Sequence, residues 1–171
     1  MDLSEIELIS KGNRAYSKNK FNDALNLFSK AIEINPLNAS NYNQRGKIYE
    51  RLRKNHSALS DYKKAVELNP QSAESYKNIG DIRNKNKEYI LAINDYSMAI
   101  NLNAKLVNAY NNRGLAKKMI NDLKGAESDF STAINLKPNF ASPYCNRGLI
   151  KDMKGDLLEA IDDYTKAIKI N

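Results

Sequence analysis

A glycine recurs at a constant step of 34 residues: Gly12, Gly46, Gly80, Gly114 and Gly148. Two alanine columns keep the same step, Ala24/Ala58/Ala92/Ala126/Ala160 and Ala31/Ala65/Ala99/Ala133/Ala167. Between each pair of alanines stands a ring: Phe28, Tyr62, Tyr96, Phe130 or Tyr164. No insertion disturbs the register. A period of this size marks one supersecondary unit repeated in tandem. Such a unit cannot bury a core alone and must lean on its neighbours. A length of 171 residues would by itself suggest one or two domains. The repeat replaces that expectation with one stacked array over residues 1–171.

Each unit reads as two helices. In the second unit the spacing predicts a helix from Ser40 to about Leu52, carrying Tyr42, Gly46 and Tyr49, and another from about Ser57 to Leu68. Ala58, Tyr62, Ala65 and Val66 form the apolar stripe of the latter. A polar turn joins the two. Asn69-Pro70 ends the unit, because proline lacks the donor that would continue the helix and restrains the residue before it. Pro36 and Pro138 end the first and fourth units in the same way. The third has Ala104 there, which predicts a less sharply defined break.

Glycine inside a helix costs about 1 kcal/mol relative to alanine, so its recurrence implies a close approach. Glycine on the first helix and alanine on the second would let two backbones meet while the ring fills the adjacent gap. The columns Ile32/Val66/Ile100/Ile134/Ile168 and Ile34/Leu68/Leu102/Leu136/Ile170 are left over and can be buried only against the next unit. Asp61, Asp95, Asp129 and Asp163 precede the ring, and Arg45, Arg113 and Arg147 precede the glycine. These columns read as structural ion pairs between neighbouring helices, each worth about 1 kcal/mol or less if exposed.

The pattern Tyr-x3-Gly, Ala-x3-Tyr/Phe-x2-Ala-x4-Pro resembles the tetratricopeptide repeat. Residues 5–38, 39–72, 73–106, 107–140 and 141–171 each match it. The resemblance implies an all-α fold, an α-α superhelix built as a solenoid of five helix-turn-helix units. Leu8 replaces the first aromatic residue in the first unit, and Ala104 replaces proline in the third. The fifth unit stops at Asn171 without the extra solvating helix such arrays usually carry. Ile161 and Ile168 should then be partly uncovered, as an association surface or as a junction within a longer protein.

Composition excludes several classes of function. No apolar run of about 18 residues is present, so no membrane span is expected. The acidic start MDLSEIELIS is not a secretory signal. Cys145 is the only cysteine, which rules out an internal disulfide and fits a reducing, cytoplasmic setting. The net charge of +7 peaks near Arg51, Arg53 and Lys54 and forms no continuous stripe, so nucleic acid is not a favoured partner. His56 is the only histidine, and no phosphate loop, zinc motif or EF-hand loop occurs. Neither catalysis nor a cofactor or metal is expected.

The family resemblance places the inner surface on the first helices. Gln44, Asn78, Asn112 and Asn146 then form a column of carboxamides. A carboxamide both donates and accepts, so it can satisfy a peptide backbone without reading its side chains. First helices about 10 Å apart would meet roughly every third residue of an extended ligand, which rises about 3.3 Å per residue. Lys77 and Asn111 lie beside the column, and Leu115, Met119, Leu149 and Met153 form an apolar strip next to it. Methionine adapts to varied shapes and suits a pocket for a partner's apolar side chain.

These residues are the expected peptide-binding set of a non-enzymatic scaffold or adaptor that binds a protein or peptide in a concave groove. Self-association through the uncovered terminal helices is the alternative. An RNA-associated role through Arg51–Lys54 ranks below both. A sub-class of the family clamps the acidic C-terminal tails of chaperones with lysine and asparagine. Asn13 fits that clamp, but Ile9, Gln44, Glu74 and Asn78 occupy its other places. A register shifted to the third to fifth units keeps Lys77 and Asn112 but puts Asp81, Ser142 and Asn146 at the rest.

Overall fold

The structure is a computed structural model and describes residues 3–170. Among the described residues there are ten helices and no strand. They are α1 (Glu5–Ser17), α2 (Phe21–Ile34), α3 (Ala39–Arg51), α4 (Asn55–Leu68), α5 (Ala73–Lys85), α6 (Tyr89–Leu102), α7 (Val107–Met119), α8 (Leu123–Leu136), α9 (Ala141–Lys154) and α10 (Leu157–Ile170). Odd-numbered helices are the first of each repeat and even-numbered ones the second. Contacts divide the chain into two compact units, Met1–Ile82 and Arg83–Asn171.

The turn inside every repeat hinges on one left-handed residue. Asn19, Arg53, Lys87 and Asn121 have φ between 58° and 65°, and Gly155 has 87°. The next N–H reaches back five residues, as in Lys20 to Ala15 and Asp156 to Lys151, both at 2.9 Å. This is the paired-bond C-cap that ends many helices, and it favours glycine at the left-handed position.

The breaks between repeats are alike with or without proline. α6 ends at Leu102 in register with Leu68 and Leu136, and the Asn103 N–H closes on the Ala99 carbonyl at 2.9 Å. The Asn103 side chain accepts from the Lys105 N–H at 3.0 Å, as Asn69 does from Gln71 at 3.1 Å. That side-chain turn stops the third repeat without Pro, so the expected loosening at Ala104 is not found.

In the first unit the glycines meet rings directly. A Cβ on Gly12 would lie 2.8 Å from the Phe28 ring, and one on Gly46 would lie 2.6 Å from Tyr62. Backbone-to-backbone contact is thus not what selects glycine here; the ring itself occupies the space. Tyr62 is fully buried, and its hydroxyl donates to Glu50 at 2.5 Å. Burial, then the bond to Glu50, pushes the phenol's pKa far up. Ile32 packs with Tyr42 and Ala65 of the following repeat. Glu5 gathers three carboxamides, Asn35 at 2.9 Å, Asn38 at 2.7 Å and Asn41 at 2.8 Å, which tie α1 to the start of α3.

The second unit repeats the scheme. A Cβ on Gly114 would lie 2.7 Å from Phe130, and one on Gly148 would lie 2.9 Å from Tyr164. Phe130 packs with Ala126 and Ile150, and Ile134 packs with Tyr144 and Ala167. The outer apolar column behaves differently from expectation. Ile34 and Leu136 are exposed, whereas Leu68 and Ile170, at the same place in their helices, pack against the Ile32–Tyr42–Ala65 and Ile134–Tyr144–Ala167 clusters.

The Asp and Arg columns do pair, but as buried rather than exposed contacts. Arg45 forks onto Asp61 through Nε and Nη2 at 2.7 and 2.8 Å, with Nη1 on Ser29 Oγ at 3.3 Å. Arg113 does the same to Asp129 at 2.9 and 2.7 Å and to Ser97 at 3.0 Å. Arg147 grips Asp163 at 2.8 and 2.6 Å and Ser131 at 3.1 Å. One guanidinium thereby joins the second helices of two successive repeats, a use that suits its rigid fork. Lys117 and Lys151 add second cations to Asp129 and Asp163, at 2.8 and 3.1 Å. The third repeat has Ile79 in place of the arginine, and Arg83, one turn further along α5, reaches Asp95 at 2.7 Å.

Candidate functional site

The two units use their first-helix carboxamides in the same bond. In the first unit Asn78 Nδ2 donates to Asn43 Oδ1, 35 residues earlier, at 3.1 Å. In the second, Asn146 Nδ2 donates to Asn111 Oδ1 at 3.0 Å, again 35 residues apart. Each bond links the first helices of successive repeats. The expected ladder therefore serves the protein first.

Asn78 is only 3% exposed and has no surface left to offer a ligand. Its place in the peptide-binding set is corrected: burial and the bond to Asn43 make it an internal staple. Around it the first unit is charged and paired. Lys77 holds Asp81 at 2.9 Å, and Lys47 holds Glu74 at 2.8 Å. Gln44 is half-buried beside them.

The second unit leaves more open. Asn111 is buried and also donates to Asn112 Oδ1 at 3.1 Å, so three carboxamides form a chain from Asn146 through Asn111 to Asn112. Asn111, too, is a framework residue. Asn112 and Asn146 are half-buried. A carboxamide with two donors and two acceptor sites can serve more than one partner. Asn112, Leu115 and Met119 stand at i, i+3 and i+7 on α7, and Asn146, Leu149 and Met153 repeat that spacing on α9, so each triplet shares a helix face. Leu115 leans on the Ala126–Phe130–Ile150 cluster. Met119 and Met153 are 54% and 55% exposed, and Leu149 is also exposed. Cys145, a free thiol, is exposed nearby on α9.

The sequence could have exposed the Asn78–Asn43 and Asn146–Asn111 pairings through one signal, carboxamides offset by one period plus one residue. Among the described residues no group of three or more His, Cys, Asp or Glu side chains could hold a metal. No described helix is long and apolar enough to cross a membrane.

Comparison with known proteins agrees with this architecture. A TPR repeat model matches residues 12–52, and a tetratricopeptide repeat model matches residues 39–72 and 141–171, together more than half of the chain. The chain belongs to the tetratricopeptide repeat family, and its fold is the all-α helix-turn-helix repeat of that family. Among solved structures, MamA is 28% identical with a TM-score of 0.86, covering 99% of this chain and 95% of that one. YrrB, described as a TPR protein with an unusual peptide-binding site, is 24% identical with a TM-score of 0.80, covering 98% of this chain and 87% of that one. PilF of Pseudomonas aeruginosa is 18% identical with a TM-score of 0.89, covering 98% of this chain and 76% of that one. The likeness to YrrB and PilF is one of fold. No curated protein matches the sequence.

Proposed function

We propose that the chain is a non-enzymatic protein-interaction module and that the α7–α9 face of its second unit holds an extended segment of a partner protein. The family is one of protein-interaction repeats, which supports the general role. The observation that carries the specific site is the exposed strip of Met119, Leu149 and Met153 beside the carboxamides of Asn112 and Asn146. The strip can accept apolar side chains of differing shape. The carboxamides can meet the partner's backbone at about every third residue. Arg45, Arg83, Arg113 and Arg147 are spent internally, on Asp61, Asp95, Asp129 and Asp163, which takes four arginines from any nucleic-acid surface.

The test is binding of the whole chain to a library of extended peptides. Met119→Lys with Met153→Lys should abolish the binding of peptides with apolar anchors, and Asn112→Ala with Asn146→Ala should weaken all ligands alike. Peptide binding that both double variants leave intact would eliminate this face as the site.

A further inference from the structure

The first unit gathers cations on two adjacent turns. Lys18 and Lys20 flank the left-handed Asn19 between α1 and α2, and Arg51, Arg53 and Lys54 form the equivalent turn between α3 and α4. All five are exposed. The turns lie side by side: Arg51 Nε donates to the Tyr16 hydroxyl at 3.3 Å, and Phe21 and Leu52 lean on one cluster, Ala24–Phe28–Ile48. Among the described residues no acid forms an ion pair with any of the five. Asp23 in the first turn of α2 and Glu50 beside Arg51 are the nearest acids in sequence, and Glu50 already accepts from the Tyr62 hydroxyl.

Two of these lysines stand where the fold disfavours them. Lys20 and Lys54 are the N-caps of α2 and α4, and neither side chain caps its helix. A cation there opposes the positive end of the helix dipole, and an ammonium offers no acceptor to the free N–H groups. The same column in the second unit holds Glu88, Asp122 and Asp156, and Asp122 accepts from the Gly125 N–H at 2.9 Å. The frame thus takes an acid at this place, and the first unit forgoes it twice. A local rule broken twice in the same way, with no internal ion pair to offset it, calls for a partner outside the chain.

The positions say what kind. Lys20 and Lys54 are one repeat apart, about 10 Å on the spacing of packed helices and about one screening length at ordinary salt, so their fields add. An extended chain rising about 3.3 Å per residue would set an acid against each of them at every third residue. Arg51 and Arg53 bring forks that can hold a carboxylate through two parallel bonds. A nucleic-acid strand is the other common polyanion. It is gripped by such cations together with rings on which bases stack. The rings at these turns are already packed: Tyr16 and Phe21 meet edge to face with centroids 5.7 Å apart and lean on the core, as does Tyr49. A strand also carries charge along its whole length, whereas these cations cover two turns.

We infer that the α1–α2 and α3–α4 turns form a docking surface for a short acidic segment of a partner protein, with Lys20 and Lys54 meeting carboxylates about three residues apart. The surface is separate from the α7–α9 face and does not depend on it. None of the five cations stands at a place that the chaperone-tail clamp would use.

Fluorescence anisotropy of the whole chain with a labelled peptide carrying glutamate at every third residue tests this. The same peptide with glutamine and an oligouridylate of equal length are the comparisons. The glutamate peptide should bind, the glutamine peptide should not, and affinity should fall as salt rises. Lys20→Asp with Lys54→Asp should weaken the glutamate peptide about tenfold or more. The same variant should melt at a higher temperature, because each change restores the acid that the frame takes. Binding lost while the fold gains is the mark of a site built against stability. Lys30→Glu with Lys63→Glu makes an equal change in net charge on exposed lysines away from the turns, and should leave binding as it was. No binding of the glutamate peptide, tighter binding of the oligouridylate, or an equal loss from the Lys30 and Lys63 pair would overturn the inference. So would a lower melting temperature in Lys20→Asp with Lys54→Asp, which would show that the lysines serve the fold.

Discussion

Asn78 and Asn146 make the same bond, to an asparagine 35 residues earlier, yet their neighbours differ in kind. Beside Asn78 stand Lys77, Asp81 and Lys47, each closed into an ion pair. Beside Asn146 stand Leu149 and Met153, both exposed, and α7 adds Met119. The helix-turn-helix frame is common to both units. What each unit presents differs at the positions one and five residues after the glycine: Lys47, Arg51 and Asp81 against Leu115, Met119, Leu149 and Met153. A repeat scaffold can therefore confine a binding surface to one unit without altering its fold.

The largest effect should separate the units by their buried carboxylates. Asp129 answers to both Arg113 and Lys117, whereas among the described residues Asp61 is bridged by Arg45 alone. Asp129→Ala strands two cations and should cost about 3–5 kcal/mol in guanidinium unfolding; Asp61→Ala should fall at or below the low end of that range. Equal losses would mean that the second cation contributes nothing.

The glycine–ring contact should not distinguish the units. Gly46→Ala and Gly114→Ala push a Cβ into Tyr62 and Phe130, and each should cost about 1–3 kcal/mol. A large inequality in thermal unfolding would show that the frame is not shared after all.

Acid should reach the two units by different routes. Burial raises the Asp163 carboxyl, but the bonds from Arg147 and Lys151 outweigh it and leave the group below its ordinary 3.8. Bonds from Asn35 and then Asn38 hold Glu5 below its ordinary 4.5. A carboxyl lowered on folding contributes fully above its unfolded value and loses that contribution as pH falls through the folded one. Both units should thus weaken below about pH 4. The partners of Asp163 are cations and those of Glu5 are neutral, so salt should shift the acid transition of the second unit more. Hydrogen exchange followed by residue as pH falls, at two salt concentrations, would show this or refute it.

The turns should give the smallest change in stability. Arg53→Gly relieves a left-handed non-glycine residue and should stabilise by about 0.5–1 kcal/mol, while Gly155→Ala should destabilise by about 1 kcal/mol. Denaturant midpoints are enough to read both signs.

The tandem columns made much of this legible in advance. Glycine, alanine, ring, aspartate and arginine each announce a contact by recurring, because equivalent positions sit in equivalent surroundings. Features that do not recur in kind were hidden. Asn19, Arg53, Lys87 and Asn121 share a left-handed turn but no common chemistry. The side-chain bond by which Asn103, like Asn35 and Asn69, closes its helix end with or without a following proline is one that spacing alone does not reveal. Arg83 substitutes for the arginine missing at Ile79 from one turn away, outside the column. The candidate site was legible as positions and not as availability. Whether a carboxamide keeps any exposed surface depends on the packing around it: Asn78 is buried and Asn146 half-buried, though both make the same bond and look alike in sequence.

The central claim is that the first-helix face of the second unit, and not that of the first, receives a partner's chain. The most direct measurement is side-chain NMR of the whole protein during titration with a library-selected peptide, following the asparagine amides and the leucine and methionine methyls together. The claim predicts shifts at Asn112, Asn146, Leu149, Met119 and Met153, with Asn43 and Asn78 unmoved. Shifts centred on Asn43, Gln44 and Lys77, or confined to α10, would contradict it.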